Sequence, residues 1–141
     1  SSPLRFGSSV HNAALGHLSI PAGNTRFASA LAARPEAIVP MVLLEAMAWR
    51  ATHGGRVAVV WAEEPWPGVP FPPLAAALVL GEPGGRGLLS ALRRSGAADP
   101  GVDATLGDQP CGRVGALVRA LAGGAADVAL GDGWEVRWTP P

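Results

Sequence analysis

The chain of 141 residues has no lysine and no tyrosine, a single cysteine, and charged side chains at only 16% of its positions. One cysteine, Cys111, excludes an internal disulfide and a cysteine-based zinc cluster alike. Eleven arginines balance eleven acidic residues, and no run of like charge stands out. The basic stripe that a nucleic-acid binder needs is therefore missing. Apolar runs are broken by Glu, Arg, Pro or Gly well short of the roughly 18–20 residues of a membrane span. No basic-then-apolar leader opens the chain, so the expected compartment is the cytoplasm. The missing lysine and tyrosine carry no functional inference.

Apolar residues make up 48% of the chain, enough for a core and too many for intrinsic disorder. Glycine (19) and proline (14) are abundant, which predicts a folded domain with long, punctuated loops. No internal repeat is present, and one domain over 1–141 is expected.

Residues 8–20, with Ser8 and Ser9 as caps and Val10, Ala13, Ala14 and Leu18 as the apolar positions, predict a short helix that Pro21-Ala22-Gly23-Asn24 breaks. Phe27–Ala33 is small and apolar, and pattern alone does not separate helix from strand there. Residues 36–52 predict the clearest helix, with Ile38, Met41, Leu44, Ala48 and Ala51 as its apolar face, Glu36 at its positive end and Pro40 in its first turn. Gly54-Gly55 ends that helix, and Val57–Trp61 follows as a strand buried on both faces. Helix, glycine turn and buried strand together predict an α/β fold.

Residues 63–73 contain five prolines and predict a loop. Leu74–Leu80 predicts a second buried strand, and 81–111 are loop-rich with a candidate strand at Leu88–Leu92. Residues 112–122 predict a helix with Val114, Leu117, Val118 and Leu121 on one face. Val128–Leu130 and Trp134–Trp138 are short strand candidates at the end.

Four chemical candidates arise. Cys111, just before a predicted helix, suits a thiolate nucleophile, against the plainer reading of a Gly/Pro loop. Glu63 and Glu64 stand at the carboxyl end of a strand, where α/β proteins often bind ligands; a solvated strand end is the plain alternative. His11 and His17 are six apart, which does not place two ligands on one helix face, and His53 suits a helix C-terminus. Gly81–Gly87 is glycine-rich but lacks the spacing and the Lys-Ser/Thr of a phosphate loop. No metal or cofactor is expected.

A resemblance adds to this. Phe6, then Ser9-Val10-His11-Asn12-Ala13-Ala14 with Gly16, Ser19-Ile20 and Gly23, look like the N-terminal half of a β-ketoacyl synthase. So do Leu43-Leu44-Glu45-Ala46, Val57–Trp61, Glu64-Pro65 with Pro67, and Ala77-Leu78-Val79-Leu80. The likeness is strongest over 6–80 and closest to the short, divergent ketosynthases called chain-length factors, found beside fatty-acid-like and aryl-polyene enzymes. It implies part of a thiolase-like fold, with a mixed, mostly parallel sheet and packing helices; residues 81–141 would be a loop-rich extension with one helix and short strands.

In active members a cysteine stands at the start of the helix after the small-residue strand. Counting from Asn12 and Gly16-His17, that position falls on Pro35, or on Arg34 or Glu36 beside it, none of which forms a thioester. All three histidines lie before residue 54, so the catalytic histidines of the family's other half have no counterpart. The resemblance thus implies no catalytic, cofactor or metal residues. Ser9, Val10, His11, Asn12, Gly16, Ile20, Gly23 and Glu45 would be structural motif positions. The expected role is a pseudoenzyme subunit that pairs with an active ketosynthase through a strand at Phe27, Ala28, Ser29, Ala30, Leu31, Ala32 and Ala33. Acyl carrier protein is a further expected partner, and a homodimer is open. Because the likeness starts just before the Asn-bearing helix, a missing N-terminal segment or completion by another chain is also expected. An acyltransferase or hydrolase using Glu64, His11 or Cys111, and a stand-alone acyl-binding module, are the alternatives.

Overall fold

A computed structural model describes residues 19–63, 73–82, 85–96, 112–124 and 126–141. The chain divides into two units, residues 1–32 and 33–141, each described by itself.

In the first unit the break after the expected helix is visible. The Gly23 amide donates to the Ile20 carbonyl at 3.1 Å and the Asn24 amide to that of Ser19 at 2.9 Å. Gly23 takes φ +60°, a value that glycine adopts without strain. The helix expected over 8–20 lies outside the described residues up to position 18. Residues 27–33 join neither a helix nor a strand ladder, and Phe27 is exposed. Four of the seven are alanine, a poor strand former that supplies little side chain to pack.

The second unit holds two helices and five strands among its described residues: α1 (Ile38–His53), β1 (Val57–Glu63), β2 (Leu74–Leu80), β3 (Leu88–Arg94), α2 (Gly112–Ala122), β4 (Asp127–Gly131) and β5 (Trp134–Thr139). β1 and β2 form a two-stranded sheet, and the other three pair in the order β3-β5-β4. All three pairings are antiparallel, which corrects the expected mostly parallel sheet.

The reasons are local. Only residues 64–73 join β1 to β2, a stretch too short and too rich in proline for the helical crossover a parallel pair requires. β4 and β5 are joined by Asp132-Gly133, with φ +50° and +75°. An Asp-Gly pair with both φ positive is the favoured two-residue hairpin turn. That dipeptide was an unread antiparallel signal in the sequence.

The core gathers Val39, Leu43 and Ala46 of α1, Val59 and Trp61 of β1, Val114 and Leu117 of α2, Val128 and Leu130 of β4, and Val136 of β5. Expectations about faces are corrected in α1, β1, β2 and α2. In β2, expected as a second buried strand, Ala75, Ala77 and Val79 are exposed and the other residues are only half-buried, because the strand alternates between a core side and an open side. The buried side of α1 is Val39, Pro40, Leu43 and Ala46, whereas Leu44, Ala48 and Ala51 of the expected face are exposed. Valine, leucine, methionine and alanine occur all around this helix, so periodicity could not choose between its sides. β1 is buried on one face only: Val59 and Trp61 point inward while Ala58, Val60 and Ala62 are exposed. α2 buries Gly112, Val114 and Leu117, but Val118 stays 42% exposed.

Two glycines are required by close approach. A Cβ on Gly87 would collide with the Trp138 ring, and one on Gly131 would collide with the Glu36 carbonyl.

Candidate functional site

The position at issue is the N-terminus of α1. The helix begins at Ile38, two residues later than expected, so Arg34-Pro35-Glu36 forms the turn that leads into it. The Ala37 amide donates to the Arg34 carbonyl at 2.9 Å, closing that turn. Ala37 occupies the cap position without a side-chain hydrogen bond, and the first helical turn holds no acidic residue. Pro40 fits because an amide in this first turn has no intrahelical acceptor.

Charged side chains, not a nucleophile, surround this helix start. Arg34 lies 3.1 Å from the Glu36 carboxylate and 3.8 Å from Asp132 in the β4–β5 turn. Asp132 also meets Arg94, at the end of β3, at 3.7 Å. Gly131 brings the β4–β5 turn against the Glu36 carbonyl, with the Arg113 side chain beside it. Arg34 is 71% exposed, so these pairs are weak, screened contacts. They surround this helix start with compensated charge.

Along the three-stranded sheet, Glu135 is hydrogen-bonded by Ser95 and Arg93, which hold its carboxyl below the usual carboxylate range. His53 sits at the opposite end of α1, stacked on Trp49 with ring centroids 3.7 Å apart. Its Nδ1 lies 2.6 Å from the Thr52 hydroxyl. A 16-residue helix is about 24 Å long, so this imidazole does not serve the α1 N-terminus.

Of the other sequence-predicted residues, Ile20 is exposed beside the Gly23 turn and Glu45 lies half-buried on α1. Ser9, Val10, His11, Asn12, Gly16, His17, Glu64 and Cys111 lie outside the described residues. The structure therefore brings Arg34, Pro35 and Glu36 together at the helix start and adds Asp132 and Arg94, which sequence reading did not single out. The Asp-Gly hairpin signal could have found Asp132, since it marks a turn, but not the helix that the turn would meet.

Among the described residues no three His, Cys, Asp or Glu side chains group as metal ligands. No described helix is long and apolar enough to cross a membrane.

Residues 1–109 match the β-ketoacyl synthase N-terminal domain family. The chain belongs to that family. The match extends past residue 80, the end of the strongest resemblance, and takes in α1 and β1 through β3. α2 and the β4–β5 hairpin lie beyond it. Membership implies a thiolase-like fold, and the described part of this ketosynthase-family chain is an α/β unit with antiparallel sheets. No curated protein and no solved structure matches the chain.

Proposed function

We propose that this chain is a non-catalytic ketosynthase-like subunit of the chain-length-factor kind. It pairs with an active ketosynthase in fatty-acid, polyketide or aryl-polyene-type biosynthesis and shapes an acyl pocket without forming the thioester itself.

One observation carries this reading. At the start of α1, where the family resemblance puts the nucleophilic cysteine, stand Arg34, Pro35 and Glu36, with Arg34 paired to Glu36 and Asp132. A helix N-terminus stabilises a thiolate by its dipole and unpaired amides. Here the helix start is present and uncapped, but the sulfur is not. The pairing segment of the proposal, Phe27–Ala33, leads directly into this turn and is free of any ladder among the described residues. Acyl carrier protein would reach the pair through its active member.

Co-expression with a ketosynthase of the same organism, followed by affinity purification and light scattering, tests the pairing. A stable one-to-one complex is expected. Separate elution of the two chains would sink the proposal and bring the acyl-binding and hydrolase alternatives forward.

A further inference from the structure

We draw no further inference here: the strongest candidate, the exposed apolar patch of Ala58, Val60, Ala77 and Val79 on the outer face of the β1–β2 sheet, carries nothing because nothing in the structure shows what covers it.

Discussion

The two sheets of this chain have similar inner faces and opposite outer ones. On the outer side of β3-β5-β4, Arg93 pairs with Glu135, and Arg137 donates to Asp127 at 3.1 Å. Both pairs link strands that the register sets side by side. On the outer side of β1-β2 the facing pairs are Ala58 with Val79, Val60 with Ala77 and Ala62 with Ala75, all exposed and none polar. Val60 and Val79 are 53% and 66% exposed. One sheet is finished for water, with the alternation of an antiparallel sheet that has one solvated face. The other turns an apolar face outward. The sheet with the apolar outer face and α1, whose Leu44, Ala48 and Ala51 are exposed, both lie within the family match; β4 and β5 lie outside it.

The inner faces should behave alike, because both sheets share one core. Leu43→Ala, under β1, and Leu130→Ala, in β4, are each expected to lose about 2–5 kcal/mol of unfolding free energy in urea titrations. A much smaller loss for one would show that the sheets do not share a single cooperative core. Trp61 adds a refinement, since its indole N–H is buried without a partner. Trp61→Phe removes that unpaired donor as well as volume, and is expected to lose less than either leucine substitution.

The outer faces should diverge. Breaking the Arg137–Asp127 pair by Arg137→Ala is expected to lose under about 1 kcal/mol at low salt, and less in high salt, because both partners are half exposed. Val60→Thr with Val79→Thr is expected to change stability by under about 0.5 kcal/mol in the isolated chain. It should also lower binding of an apolar dye and weaken any assembly that covers this face. A large stability loss from the threonine pair would mean that the face is already packed, and would break the comparison.

Acid sharpens it further. Ser95 and Arg93 lower the Glu135 pKa below its ordinary value of 4.5. A carboxylate lowered on folding adds stability that is fully present above its unfolded pKa and is lost as pH falls through the folded one. Glu135→Gln is therefore expected to be less stable than wild type near neutral pH, with the gap closing below about pH 4. A gap that stays constant to pH 2 would contradict the ion-paired description of this sheet.

Much of this was legible beforehand, for identifiable reasons. β2 and α2 fall where their patterns predicted, because Pro73 and Gly123 bound apolar runs of the right length. Strand direction was missed because a continuous run such as Val57–Trp61 reads as buried on both sides whether it is covered or merely awaiting cover. The same ambiguity put the buried face of α1 on Leu44 and Ala48 instead of Leu43 and Ala46. A single sequence records which surfaces are apolar; it does not record which of them this chain covers by itself. The absence of cysteine at positions 34–36 was readable at once, whereas Asp132 and Arg94 reach Arg34 only through the folded hairpin.

The central claim is that this chain carries no acyl group while its partner does. Intact-mass spectrometry of the co-purified pair, after incubation with acyl-loaded carrier protein, tests it most directly. The account predicts the acyl mass on the ketosynthase alone, with this chain unmodified whether it is free or paired. An acyl adduct on this chain that hydroxylamine removes would contradict it.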